Sequence, residues 1–468
     1  MTTTAKLFCI SFLGIVGFTA ESFERVAAEP STPAHSMLPS AAEATALLNT
    51  THHHGEWIRV PTRSGTVLAA VTYPDRRDGA TVVVITAGDQ KLTPWLRAIA
   101  DQVTSEGFIA VVPDALAGDA ARVAAVRQYV AGHPASNGTS ASITMSATLD
   151  VDTAARDARF AISKAAWPEA MAFLNTQANN DRRAVVAMPT HAHPASQQAP
   201  AGRGQGPRGY PAGKLDHLPA GTFTAKGTVL RSTVRFEWVD IPMPGVYTGR
   251  MRTRITYPQG NEKAGIVVVM QHGPGADEWM HALGDQLSRE GFIALMPDLH
   301  TGMGRNGGGY ETFDGPDSAF AANANLRPAM TTAAYKAVRE YGMKLPRANG
   351  KSAAIGFCMG GSNAWLLAAE VPDLNAAIVY YGAHPADEAV FARIKAPVIG
   401  FYGDDDARVT STVAGARALA TKLGKTFEPH VYPHATHGFL EFQDLGGNPE
   451  ATLDSWTRSV ALLKQQIQ

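Results

Sequence analysis

An α/β fold, a doubly wound and mostly parallel sheet preceded by a truncated second copy of the same unit, follows from three features of the sequence. Continuous Val/Ile runs bounded by turns alternate with helix-length stretches, as buried parallel strands and their crossover helices do. Two segments match without a gap at an offset of 184 residues, and 18 of the 50 positions from 65 to 114 are identical. Only the second copy runs on through enough strand and helix patterns to complete a sheet covered on both faces.

Each copy has the same local order. A β-rich segment (66–73 or 250–257) ends at Tyr-Pro. An apolar strand follows (81–86 or 266–270), then a helix (94–105 or 278–289). Gly-Phe-Ile-Ala then opens a second apolar run closed by Pro113-Asp114 or Pro297-Asp298. The second copy continues through a helix at 328–343, a strand at 352–356 and a helix to about Glu370. Strands at 376–380 and 398–402, a helix near 411–423, a strand at 426–432 and a final helix at 450–467 complete it. In the first copy, 151–178 reads as helix and 183–188 as strand. There Asn180–Val186 is similar to Asn349–Ile355, which sets Pro189 opposite Cys358.

The ends frame these copies. Lys6 and a 14-residue apolar run, Leu7 to Ala20, suit a secretory leader and are short for a membrane span. The expected organisation is a leader at 1–28, a disordered tail at 29–54 and a truncated non-catalytic copy at 55–194. A Gly/Pro-rich linker at 195–224 and a catalytic domain at 225–468 complete it. The expected location is periplasmic or secreted. His52-His53-His54 is not read as a metal site, because three adjacent side chains rarely converge on one ion.

Composition narrows the function. Forty-one basic against 42 acidic residues argue against an electrostatic nucleic-acid binder. Two cysteines exclude a disulfide scaffold and a multi-cysteine zinc site. Removal of the leader takes Cys9 with it and leaves Cys358 as the one thiol.

That thiol sits in Gly356-Phe357-Cys358-Met359-Gly360, between a predicted strand and a predicted helix. This is the setting of a nucleophile elbow, in which small flanking residues relieve a sharp turn and the helix N-terminus favours thiolate. A thiol nucleophile needs a base, and the base needs an orienting acid. Both follow in chain order, past the ends of later strands: Asp404-Asp405-Asp406, then His434 and His437. From the run alone any of the three aspartates can serve. The oxyanion donors expected are the backbone amides of Met359 and of Gly273, in His272-Gly273-Pro274-Gly275, where Pro274 has no N–H.

These residues resemble the dienelactone hydrolase family, a cysteine-nucleophile branch of the α/β-hydrolases. The likeness covers most of 225–468 and rests on four motifs: Gly-Phe-Cys-Met-Gly-Gly at 356–361, Tyr-Tyr-Gly at 380–382, Gly-Asp-Asp-Asp-Ala-Arg-Val at 403–409 and His-Gly-Phe at 437–439. His54-Gly55-Glu56-Trp57 is similar to an exported subgroup. The resemblance implies Cys358, His437 and Asp406 as the triad. It implies hydrolysis of an ester or lactone through an acyl-thioester, with no metal and no cofactor. Thioester or amide cleavage on the same triad, or a binding protein that kept the fold, are the alternatives. His272, Trp279, Tyr381, His434 and Arg305 are expected against the substrate or in the layer behind it. The expected partner is a small molecule, with no nucleic acid and no stable membrane span after leader cleavage; a homodimer stays open. Three departures stand out. His272 occupies the place of a family Glu, Leu440-Glu441 falls where a carboxylate-binding Arg would stand, and the first copy lacks the Cys, Asp and His.

Overall fold

The computed structural model describes residues 38–88, 91–145, 217–243, 249–445 and 448–468, with Trp167, Met171 and Leu174. The leader, the strand at 183–188 and most of the 195–224 linker lie outside these residues, as does the helix at 151–178 apart from those three.

The first unit carries β1 (His54–Thr62), β2 (Gly65–Tyr73), β3 (Ala80–Ala87), β4 (Ile109–Pro113) and β5 (Ser136–Met145), in the spatial order β1-β2-β4-β3-β5. Its helices are α1 (Ala44–Leu48), α2 (Pro94–Ser105) and α3 (Ala120–Ala131). The second unit opens with α4 (Thr222–Leu230), β6 (Arg235–Pro242), β7 (Arg250–Tyr257), β8 (Ala264–Met270), α5 (Glu278–Arg289) and β9 (Ile293–Pro297). It continues with α6 (Pro316–Ala322), α7 (Pro328–Met343), β10 (Ala348–Phe357), α8 (Met359–Glu370) and β11 (Ala376–Tyr380). Last come α9 (Glu388–Arg393), β12 (Val398–Gly403), α10 (Ala407–Leu423), β13 (Phe427–Tyr432) and α11 (Pro449–Ile467). The eight strands lie in the order β13-β12-β11-β10-β8-β9-β7-β6, so the first sheet repeats the order of the last five.

Strands β8 to β13 pair in parallel, while β7 and then β6, the edge strand, extend the sheet antiparallel. A fully buried parallel strand must be apolar on both faces. On β8, Ile266, Val268 and Met270 enter one core layer, and Val267 and Val269 enter the other. On β3, Val82 and Val84 part from Val83 and Ile85 in the same way.

Two expectations need correction. The strand beside β3 is β5 and not 183–188. Its register, Ala80↔Ser136 then Val82↔Ser140, repeats Ala264↔Ala348 then Ile266↔Ser352, including the irregularity between the two pairs. Ser146, not Pro189, therefore answers Cys358 in sequence, and Thr144 and Thr148 answer Gly356 and Gly360. The strand escaped pattern reading because its first half, Ser-Asn-Gly-Thr-Ser, is polar and mostly exposed. The stretch 29–54 is also not a tail throughout. Leu38 and Ala44 are buried, and Trp95 Nε1 donates to the Pro39 carbonyl at 2.9 Å. Its Ala/Leu-rich half has an apolar side to bury, and it packs on the core that holds Trp95.

The two units are in direct contact. Trp57 Nε1 donates to the Phe320 carbonyl at 3.0 Å, and the two rings stack. Arg97 and Asp317, both buried, pair at 2.5 and 3.1 Å. The Ala407 amide donates to the Arg76 carbonyl at 2.9 Å, and Arg77 pairs with Asp405.

Candidate active site

Cys358 stands at the turn from β10 into α8 with φ 55° and ψ −118°, a conformation that non-glycine residues adopt only under constraint. The surrounding glycines permit it. A Cβ on Gly356 would lie 2.0 Å from the Gly360 carbonyl oxygen, and one on Gly360 would lie 2.2 Å from that of Met270. The Cys358 amide donates to the Tyr380 carbonyl at 3.0 Å, which fixes the turn to β11. The Met359 amide is the first of α8, at its positive end.

Asp406 follows β12 at the start of α10. Its carboxylate caps no helix amide and instead accepts a hydrogen bond from His437 Nδ1 at 2.6 Å. The other two aspartates are engaged elsewhere: Asp405 with Arg77, and Asp404 Oδ1 with the His434 amide at 2.6 Å. Cys358, Asp406 and His437 are all buried. Burial alone lowers the His437 pKa, but the charges of Asp406 and Cys358 outweigh it and raise it to about 10. Burial pushes the Cys358 thiol up, yet the imidazoles of His54 and His437 hold it well below the ordinary thiol range. The arrangement favours a thiolate beside an imidazolium at neutral pH.

A second imidazole, His54, meets the same sulfur, although its histidine run and its His-Gly-Glu-Trp motif assigned it no role at Cys358. His54, the first residue of β1, is buried with Nδ1 3.3 Å from the Cys358 sulfur and its ring 4.2 Å from that of His437. The two lie 304 residues apart in the chain, so no local pattern links them. The ring nitrogens of His54 and His437 and the Cys358 sulfur all fall within 4.8 Å of one another. That trio is the donor set among the described residues able to hold a soft metal ion. His53 does not join it, because its Nδ1 pairs with Asp101 at 2.8 Å.

A cavity of about 130 Å³ opens onto Cys358 and His437, lined by both units. His52, His53, Arg97 and Asp101 come from the first unit, and Gly273 and Glu441 from the second. His272 lies in the same wall, between Glu441 at 3.0 Å and Asp277 at 3.1 Å. Burial opposes its charging, but these two acids outweigh burial and raise its pKa well above the ordinary value.

The other expected neighbours divide. Tyr381, at φ 39°, is buried with its ring 4.8 Å from that of His437. Trp279 packs behind the site, edge-on to Phe357 and 5.1 Å from the His272 ring, and does not line the cavity. His434 is exposed and bonded to Arg77, so it belongs to the contact between units. Arg305 is exposed, pairs with Asp314 at 3.4 Å and does not line the cavity. Its Gly-rich loop folds back on Thr312 instead of toward Cys358.

A sheet of this order with a strained residue at the turn after β10 is an α/β-hydrolase fold. Residues 251–467 match the model of the dienelactone hydrolase family. A protein of Saccharolobus solfataricus, provisionally named a carboxymethylenebutenolidase, is 34% identical over 132 residues, 28% of this chain and 49% of that one. The alignment thus spans about half the length of that relative. The carboxymethylenebutenolidase of Pseudomonas sp. strain P51 is 29% identical over 223 residues, 46% of this chain and 91% of its own. A crystal structure from Klebsiella pneumoniae, provisionally titled a dienelactone hydrolase, is 27% identical. It matches with a TM-score of 0.44 and covers 50% of this chain and 99% of its own. No helix among the described residues is long and apolar enough to cross a membrane.

Proposed function

We propose that the protein hydrolyses a small ester or lactone through Cys358, His437 and Asp406. One observation carries the reading: the strained, buried Cys358 lies in one cavity with His437, whose Nδ1 is held by Asp406 at 2.6 Å. The Cys358 thiolate attacks the acyl carbon, a C–S bond forms, and the carbonyl electron pair moves onto oxygen. The amides of Met359 and Gly273 are assigned to that oxyanion. His437 Nε2–H gives its proton to the departing alkoxide. It then takes a proton from water as hydroxide attacks the thioester, and the thiolate leaves.

The charges around the cavity favour an uncharged substrate. Glu441 lies in the wall, Arg97 is neutralised by Asp317, and Arg305 faces solvent. Cys358→Ala is expected to bring turnover of p-nitrophenyl acetate to the buffer rate, and full retained activity would contradict the reading. A panel of neutral and carboxylate-bearing esters, thioesters and amides is expected to favour the neutral esters and lactones. Dominance of thioesters or amides would shift the assignment to those substrates.

We propose further that residues 1–28 are an export leader and that the two units arose by duplication. The N-terminal unit has no nucleophile elbow of its own, a reading supported by Thr144 and Thr148 in place of the two glycines.

A further inference from the structure

We infer that the N-terminal unit supplies a catalytic residue to the site of the C-terminal unit: His54 donates Nδ1–H to the Cys358 sulfur and stabilises it as thiolate. The inference rests on Cys358 being the nucleophile.

The geometry is specific. β1 starts at His54, so the imidazole projects from the end of an edge strand into the neighbouring unit's cavity. Its Nδ1 lies 3.3 Å from the sulfur, within range of an N–H···S bond. Glu56 is two residues further along the strand and therefore on the same face. Its carboxylate lies 3.8 Å from His54 Nε2, accepts the Tyr73 hydroxyl at 2.6 Å and faces Arg408 at 3.5 Å. Arg408 is two residues beyond Asp406. The sulfur thus meets two imidazoles, each with a carboxylate nearby, one pair from each unit.

The C-terminal unit has no equivalent imidazole of its own. β1 pairs His54 with Tyr73, and β6 pairs Arg235 with Tyr257. The carboxylate contact is kept, with Tyr257 donating to Glu237 at 2.5 Å as Tyr73 does to Glu56. Arg235, at the place of His54, is exposed and sits over the Tyr257 ring. The histidine is therefore found only on the strand that reaches Cys358.

The proton balance is simple. The thiol proton moves to His437, and His54 keeps its own while sharing it with the sulfur. The bond is strongest to the free thiolate, weakens when the sulfur is acylated, and forms again as water expels the thiolate. His54 thus raises the thiolate fraction at rest and assists its departure.

The test uses the full chain and reads the sulfur without any substrate. Iodoacetamide alkylation of the Cys358 peptide is followed by mass spectrometry across pH in wild type, His54→Ala, His54→Phe and His54→Gln. His437, Glu441 and Tyr381, which face the sulfur, and Glu56, Asp406 and Arg408 behind them remain unchanged in all four. Loss of the donor in Ala and Phe is expected to raise the alkylation midpoint by about one pH unit or more, and so to slow alkylation about tenfold at pH values below the wild-type midpoint. Gln, whose amide N–H replaces the donor, is expected to recover part of the shift. Phe keeps a ring in place, so it carries the comparison if Ala does not fold. An unchanged midpoint in folded Phe and Ala variants would overturn the inference. A shifted midpoint in a protein that cleaves no ester would uphold the thiolate role of His54 and defeat the hydrolase reading, so the two failures are distinguishable.

Discussion

Gly356 and Gly360 are needed for backbone reasons and not for chemistry of their own. Any Cβ at either position would lie within about 2.2 Å of a carbonyl oxygen that β8 or α8 holds fixed. Gly356→Ala and Gly360→Ala are expected to cost about 1–3 kcal/mol of stability, read as a lower urea midpoint, and to displace Cys358 from its turn. Unchanged midpoint and activity would show that the turn does not depend on them. The ionisation of Cys358 and His437 sets a pH window. Below the depressed thiol pKa the nucleophile is neutral; above about 10, where His437 loses its proton, nothing protonates an alkoxide leaving group. Activity on alkyl esters is expected to be level through neutral pH and to fall on both sides. Cys358 and His437 were legible as residues because the elbow and the terminal His-Gly motif are local. Asp406 was separable from Asp404 and Asp405 only through the family resemblance, since three adjacent carboxylates carry the same local signal, and in the structure it is the one bonded to His437.

Elements bounded by Gly and Pro and filled with Val, Ile or amphipathic repeats were legible almost to the residue. The helices at 94–105, 278–289 and 328–343 and the strand at 376–380 have the bounds their patterns predict. β5 was not, because half of it is polar and exposed, and its identity as a strand comes from pairing with β3. The contact between units at α2 and α6 makes its own prediction. Arg97 and Asp317 are buried together, so Asp317→Ala leaves an unpaired guanidinium inside and is expected to cost about 3–5 kcal/mol. Replacing both, as Arg97→Met with Asp317→Leu, is expected to restore most of that loss. Equal losses in the single and double variants, by denaturant unfolding, would assign the effect to packing instead of charge.

At the scale of the whole molecule the units share one cavity, and their docking is tied to charge. Burial pushes the Glu56 carboxyl up, but Arg408 and His54 outweigh it and hold it far below the usual carboxylate range. A carboxyl with a depressed folded pKa adds stability that is present above its ordinary value of 4.5 and is lost as pH falls below it. Asp101 and Asp406 are depressed in the same direction, with burial again opposed, here by His53 and His437. The urea midpoint is therefore expected to fall between about pH 5 and pH 3, and a constant midpoint would deny these groups a role in the stability of the folded chain. The packing of two related units was foreseeable from the repeat, but the composite site was not. It depends on side chains from opposite ends of the chain meeting across a contact that no periodicity encodes.

The proposed hydrolysis requires that Cys358 carry the acyl group between the two half-reactions. Rapid acid quench of the enzyme with p-nitrophenyl acetate, followed by peptide mass spectrometry, tests it directly. An acetyl adduct on the Cys358 peptide, formed within the first turnover and absent from Cys358→Ala, is the predicted result. Steady turnover with no adduct at Cys358, or with an adduct on another side chain, would contradict it.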